Sequence, residues 1–422
     1  MIKKSSFGLG GAALEYERPG SDFPAMETIP VSENITLLIK SQGKLSDIQT
    51  LAISDSVKTG QRLFLRQGEN DYAISPITGT VTSIAMVKDD FGRDFAQIEI
   101  KAAASEELDS EFAELSQTPS LEMAQAYLRH IPGAPPLDCF SNDETSIDTI
   151  VINGVPGDLF LMTSQFLTDT ALGDIKKGID ILKKITGVSR FILVAPQNFV
   201  QSHGSIGAEM KVVQPVYPEG NPALIMKNVL NIEVAAGESF ASAGVAFFTA
   251  EAVASIGAAF DSGRIPTEKT LTFIDKRGAK RLVQAKIGTP IGDIINKYGD
   301  EVNENDILIM GGPMTGSAVY SETFPVKPDT DGLMIRDEKE IHYYSDYSCI
   351  NCGECVRACP ANIPVNMLVR FLEAGKYQEA SDSYDLMSCV ECGLCSFVCV
   401  SQMPVFQYIR LAKCELLRMS DS

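Results

Sequence analysis

Eight cysteines fall into two runs with one spacing. Cys349, Cys352, Cys355 and Cys359 read C-x-x-C-x-x-C-x-x-x-C, and Cys389, Cys392, Cys395 and Cys399 repeat the pattern forty residues later. Thiolates at these intervals suit the irons of a cubane cluster, because a chain with two residues between ligands curls tightly around the sulfides. The chemistry this implies is transfer of single electrons. Structural zinc is the competing use, but it asks for four thiolates per ion, usually as two separated pairs. It leaves a third cysteine at the same interval, twice over, without a purpose. Gly353 and Gly393 stand at equivalent places, where a missing side chain lets backbone N–H groups approach the sulfides. Glu354 and Glu391, inside the runs, read as exposed carboxylates.

The doubled run, with Pro360 directly after the first copy, resembles that of two-cluster bacterial ferredoxins. In those proteins the fourth cysteine of each run sits just inside the following helix and ligates the other cluster. The resemblance therefore implies one [4Fe–4S] cluster on Cys349, Cys352, Cys355 and Cys399, and a second on Cys389, Cys392, Cys395 and Cys359. Val400 replaces Pro360 in the second copy, while Pro364 and Pro404 match.

Composition narrows the setting. The chain has 422 residues, enough for several domains, and a formal net charge of −19, which makes nucleic acid and anionic lipid poor partners. Cys139 and Cys414 are the two cysteines outside the runs, and the pattern suits a reducing cytoplasm rather than a disulfide framework. The opening Met1–Ser6 has no apolar core of a signal peptide, and no uncharged apolar run is long enough to span a membrane.

The remaining sequence must position the clusters. Residues 32–101 carry short strand patterns with turn signals about every ten residues, an all-β unit. Val57–Gln61 followed by Ser75–Val81 resembles the lipoyl/biotinyl barrel-sandwich, but no lysine lies between Leu65 and Ser75 to carry a cofactor. Residues 102–145 are acidic and polar and read as a linker. Residues 146–266 alternate strand and helix: strands over 148–153, 191–195, 212–217 and 244–248, helices over 170–185, 222–230 and 252–261. That is a βαβ pattern with a parallel sheet. Leu172, Ile175, Ile179, Leu182 and Ile185 share one helical face, which Asp169 or Thr170 could cap and Gly187 could end. Residues 267–325 read as a hairpin, a short helix and a returning strand, a ubiquitin-like β-grasp of the SLBB type. Residues 326–422 form the helical, ferredoxin-like cluster unit. The expected architecture is thus a multidomain α/β chain whose N-terminal barrel-sandwich unit covers residues 1–101.

This order of parts resembles the C subunit of the Rnf electron-transport complex over nearly the whole chain. Beyond the cysteine runs, the similar stretches are Tyr217–Gly220, Ile287–Ile291 and Gly311–Gly316. More distant likenesses are the A subunit of the sodium-translocating NADH:quinone reductase and the flavoprotein subunit of respiratory NADH dehydrogenase. The resemblance implies protein electron donor and acceptor subunits as partners, and a cytoplasmic place with peripheral docking to a membrane complex at the inner face of the cell membrane.

One departure matters. The family's FMN and NADH site uses a glycine-rich loop, G-x-G-G-x-x-F-P-T, whose N–H groups cradle a phosphate. The matching stretch here, His130–Phe140, has Gly133 as its one glycine, with Pro132, Pro135 and Pro136. Proline removes N–H donors and stiffens the backbone. The family's acidic element after the first strand keeps at most one acid, Asp158. Gly8–Gly11 looks like the missing loop but lies before the all-β unit and reads as a turn, and Gly311–Gly316 reads as a loop after a strand rather than a phosphate site. His130, His203 and His342 are not at ligand spacing. The first reading is an electron-transfer subunit, not itself catalytic, with two [4Fe–4S] clusters and neither FMN nor NADH. The alternatives are an NADH-oxidising dehydrogenase subunit with a rebuilt FMN site, and a soluble corrinoid reductase.

Overall fold

The computed structural model describes residues 14–16, 23–40, 50–66, 71–88, 92–141, 145–204, 206–341 and 347–420. Gly8–Gly11 and His342 lie outside them.

At the centre is a four-stranded parallel sheet in the order Glu209–Val212, Arg190–Ala195, Thr149–Asn153, Val245–Thr249. Its strands are apolar on both faces because both are covered: Ile150, Val151 and Ile152 are all fully buried. The helices Leu172–Thr186 and Ala250–Ser262 join one core with Ile150 and Ile152. Gly187, at φ 74°, ends the first of these helices by donating its N–H to the Lys183 carbonyl. The helix starts at Leu172 without a side-chain cap, since a separate helix, Thr163–Thr170, precedes it. Little in that polar segment suggests a helix. It is anchored from outside, the Met162 N–H donating to Thr272 Oγ1. The strand expected over 212–217 is two pieces, Glu209–Val212 and Val216–Tyr217.

Residues 102–145 are not a linker. They contain the helices Glu111–Leu115 and Leu121–Tyr127 and a short turn of 3₁₀ helix, Leu137–Phe140. Phe112, Met123, Tyr127, Leu128, Ile131 and Leu137 are buried in the core of the central sheet. Ser120 Oγ accepts from the Met123 N–H at the start of the second helix.

Residues 34–102 form a four-stranded antiparallel sheet, in the order Asn34–Lys40, Asp94–Ala102, Gly79–Lys88, Ser56–Val57, beside the pair Arg62–Phe64 and Tyr72–Ile74. The segment before them does not belong to that unit. Leu14–Glu15 pairs with Val216–Tyr217, and Met26–Thr28 pairs in parallel with Lys280–Lys286, so the expected 1–101 boundary is too early. An edge strand left open is a liability, and here Met26–Thr28 covers that of Lys280–Lys286.

A six-stranded sheet follows, in the order Ser317–Val319, Ile307–Met310, Gly332–Arg336, Glu268–Ile274, Lys280–Lys286, Met26–Thr28. The helix Ile291–Lys297 packs its Ile291, Ile294 and Ile295 on Leu271, Phe273 and Leu333. The expected boundary after 325 cuts this sheet, because Gly332–Arg336 inserts between two earlier strands. Where the sheet meets Ala250–Ser262, the fully buried Lys269 ion-pairs with Glu251 and reaches Asp331 Oδ1 at 3.3 Å.

The C-terminal unit is helical: Glu354–Arg357, Val365–Glu373, Tyr377–Tyr384, Leu394–Phe397 and Val405–Ser420. Leu368, Val369, Leu372, Phe406, Ile409 and Ala412 are its core. Among the described residues, no helix is long and apolar enough to cross a membrane.

Candidate functional site

The two cysteine runs adopt one backbone twice. Asn351 and Glu391, each two residues after the first cysteine, have φ of 56° and 54°. Gly353 and Gly393 follow at 77° and 74°, and Asn362 and Gln402 at 58° and 52°. These left-handed residues turn N–H groups inward. The Asn351 N–H donates to Cys349 Sγ, Glu391 N–H to Cys389 Sγ and Met403 N–H to Cys399 Sγ, each at 3.4 Å. Such donors suit sulfur that carries negative charge.

The folding of one run on the other brings the fourth cysteines across. Burial pushes the Cys355 thiol up to about 11, and Cys349, Cys352 and, from the other run, Cys399 act on it in the same sense. Burial pushes Cys392 up to about 11 as well, with Cys389 and Cys359 adding to the effect. Cys389 and Cys395 are pushed up for the same first reason. Cys359, Cys389, Cys392 and Cys395 line one small cavity, closed by Ile363, Phe406 and Ile409. Burial thus favours the thiol form at Cys355, Cys389, Cys392 and Cys395, and a bound iron would supply the positive charge that favours the thiolate. Among the described residues, no three His, Cys, Asp or Glu side chains converge on a point where one metal ion could sit. Thiolates around a cubane have to be spread about its irons rather than gathered on one ion. Cys139, itself pushed up to about 11 by burial, packs on the central core, away from both groups.

The two groups differ in surroundings. Cys352 is exposed, and Ile350 and Val400 beside the first group are 64% and 63% exposed. Cys392 and Cys395 are buried, and the second group lies against the central unit. Tyr217 Oη donates to the Cys392 carbonyl at 2.7 Å and Asn221 Nδ2 to that of Val390 at 3.0 Å. A side chain at Gly393 would meet the Met314 carbonyl oxygen at 2.5 Å, so only glycine fits there. Met314 belongs to the Gly311–Gly316 loop, in which the Gly311 N–H donates to the Gly332 carbonyl and the Gly316 N–H to the Gly312 carbonyl. Asp158, 2% exposed, accepts from the Met314 and Thr315 N–H groups and from Thr315 Oγ1. The one acid kept after the first central strand thus shapes the loop that supports the second cysteine group.

Of the two glutamates read as exposed carboxylates, Glu354 pairs with the half-exposed Arg357, and Glu391 accepts from Lys413 Nζ at 2.8 Å. Sequence reasoning missed Lys413, Asn221 and Asp158's role; Tyr217 had appeared only as part of a family-like stretch.

Residues 130–140 do not fit a phosphate. Gly133 has the left-handed φ of 86° that a cradle uses, but a side chain on it would lie 2.3 Å from the Ala252 nitrogen, so the loop itself fills the space before that helix. Its N–H donates to the Pro328 carbonyl at 2.9 Å, that of Ala134 to Ile131 and that of Leu137 to Pro135. The prolines have none to give. His130 packs edge-on to Tyr72, with burial lowering its pKa, and His203 stacks on Phe199.

A family profile described as a 4Fe-4S dicluster domain matches residues 348–403. The C subunit of an ion-translocating oxidoreductase complex from Pectobacterium carotovorum is 25% identical over 398 residues, covering 89% of this chain and 53% of that protein. The C subunit of a proton-translocating ferredoxin:NAD(+) oxidoreductase complex from Clostridium ljungdahlii is 29% identical over 296 residues, covering 68% and 63%. The chain therefore spans less than two thirds of the length of these relatives. Among solved structures, a chain of NAD+-reducing [NiFe]-hydrogenase in the air-oxidized state matches with a TM-score of 0.44 at 11% identity, covering 71% of this chain and 65% of that one, too distant to bear on the site. Over most of its length, this chain is similar to the C subunits of ion-translocating oxidoreductase complexes, and its residues 348–403 match a 4Fe-4S dicluster domain.

Proposed function

We propose that this chain is an iron–sulfur electron-transfer subunit of a multi-subunit oxidoreductase, relaying single electrons between protein partners through two [4Fe–4S] clusters. The observation that carries the reading is the grouping of Cys359 with Cys389, Cys392 and Cys395 around one small, apolar-walled cavity. Cys349, Cys352, Cys355 and Cys399 make the other ligand set in this reading. Each bound cluster would supply a one-electron couple. The chain's residues would hold the thiolates and donate N–H groups to them, and Ile363, Phe406 and Ile409 give the inner set an apolar wall. The outer set, with Cys352, Ile350 and Val400 at the surface, offers a face for a partner that exchanges electrons directly. The relatives are parts of larger complexes, which supports protein donors and acceptors and a cytoplasmic place beside a membrane complex.

In this reading the sheets are scaffold: residues 34–102 a barrel-sandwich relative and the six-stranded sheet a β-grasp of the SLBB type. The purified, reconstituted protein is expected to hold about eight irons and about eight acid-labile sulfides per chain. Iron and sulfide analysis with low-temperature EPR after dithionite is the test, and stoichiometric zinc without an EPR signal would refute the reading.

The same reading gives the chain neither FMN nor NADH. Its support is that the Gly133, Ala134 and Leu137 N–H groups are spent within the protein and that three residues of the stretch are prolines. Flavin released on denaturation should be far below one per chain, and NADH alone should not bleach the clusters. Near-stoichiometric FMN, or rapid reduction by NADH without partners, would instead favour the dehydrogenase alternative.

A further inference from the structure

We propose that Lys413 tunes the inner cluster, supplying a fixed positive charge that raises its reduction potential and lets a buried site accept the electron. This rests on the reading that Cys359, Cys389, Cys392 and Cys395 hold a four-iron cluster.

Lys413 lies on the helix Val405–Ser420. Its Nζ donates to the Cys389 carbonyl at 2.7 Å and to Glu391 Oε1 at 2.8 Å, and its side chain is 14% exposed. Lys413 and Glu391 line a groove between the last helix and the central unit, whose other charged lining residues are Lys227, Glu233 and Glu238. The internal repeat makes the asymmetry visible. Fourteen residues after the fourth cysteine stands Lys413 in the second run and the exposed Glu373 in the first. Two residues after the first cysteine stand Glu391 and Asn351, and Asn351 Oδ1 accepts from Asn366 Nδ2 instead of a cation. The backbones are alike, so the difference lies in the side chains. The outer group's cation, Arg357, donates to the Cys352 carbonyl at 3.2 Å, but it and Glu354 are 52% and 46% exposed, where water screens them.

The physics follows from where the charge goes. A transfer between the two sites would take one electron from one cluster, oxidising it, and add it to the other, reducing it; when the inner cluster is the one reduced, no bond need break. The inner site gains one negative charge. Burial opposes that charge, and a nearby cation in the same low-dielectric surroundings favours it. Lys413 offsets the penalty that the packing of Cys392 and Cys395 imposes, and Glu391 moderates it.

The test is an EPR-monitored redox titration of the full chain with its clusters, alongside iron and sulfide analysis. Serine variants of Cys359 and Cys399 identify the two signals. In Lys413→Met, iron content should hold while the ratio of reduced to oxidised inner cluster at fixed potential falls about tenfold, about 59 mV for a one-electron couple. The outer cluster should not move, and Lys413→Arg should restore most of the shift. Glu391→Gln should move the inner cluster the opposite way. An unmoved inner potential in iron-replete Lys413→Met overturns the proposal. Should that variant lose iron, Glu391→Gln decides, and an unchanged or lowered reduced fraction overturns it. A wild-type protein without iron would overturn the cluster reading itself.

Discussion

Cys359→Ser is expected to cost the protein the cluster held mainly by Cys389, Cys392 and Cys395, and Cys399→Ser the cluster at Cys349, Cys352 and Cys355. Cys399 is among the neighbours acting on Cys355, and Cys359 among those acting on Cys389 and Cys392. Each fourth cysteine lies just beyond a short helix, Glu354–Arg357 or Leu394–Phe397, that carries it away from its own triplet. Serine is a poor ligand for iron in such a set, so each variant should keep about four of about eight irons or convert one cluster to a smaller form. The inner-set loss should also be the more disruptive, because Cys392 and Leu394 share a core with Val151, Val194 and Tyr217 of the central sheet. EPR and iron analysis of each variant give the answer. If each loses the signal of its own run's triplet instead, the crossed ligation is wrong.

What the sequence could reveal followed the range of the interactions. The cysteine runs and their glycines were legible because ligand spacing and left-handed turns are local properties of a few residues. The face made by Leu172, Ile175, Ile179 and Leu182 was legible for the same reason. The inserted strand Gly332–Arg336 was not, because it pairs with partners on both sides that are distant in sequence. The stretch 102–145 was misread because its acidic composition hid Phe112, Met123, Tyr127 and Leu128, whose burial depends on the sheet they meet. The prolines of residues 130–140 were plain. That Gly133 spends its N–H on Pro328, far along the chain, was not. Lys413 escaped because its contact with Cys389 depends on how the last helix docks, although the repeat placed Glu373 at the matching position.

Lys269→Met is expected to destabilise the protein by about 3–5 kcal/mol, the usual consequence of stripping one partner from a buried ion pair. Lys269 is fully buried and Glu251 is 6% exposed, so neither finds water once the other is gone. The cluster joins the helix Ala250–Ser262 to the six-stranded sheet. Lys269 Nζ also donates to the Thr270 carbonyl at 2.9 Å, and the Thr270 N–H donates to Glu251 Oε1. Burial already pushes Glu251 up to about 7 with the ammonium present. Without it the acid is driven higher still. A folded-state pKa above the unfolded one means that the native state binds the extra proton. The variant should therefore be least impaired in acid, and should lose stability as pH rises from the ordinary glutamate range through the folded pKa. Glu251→Gln on top of Lys269→Met removes the stranded charge and should recover much of the loss, since a neutral buried pair avoids the desolvation of both ions. Urea unfolding across pH separates the cases. A single variant as stable as the wild type would mean that packing alone holds this junction, and a double variant no better than the single would mean that the charge of Glu251 was not the cause.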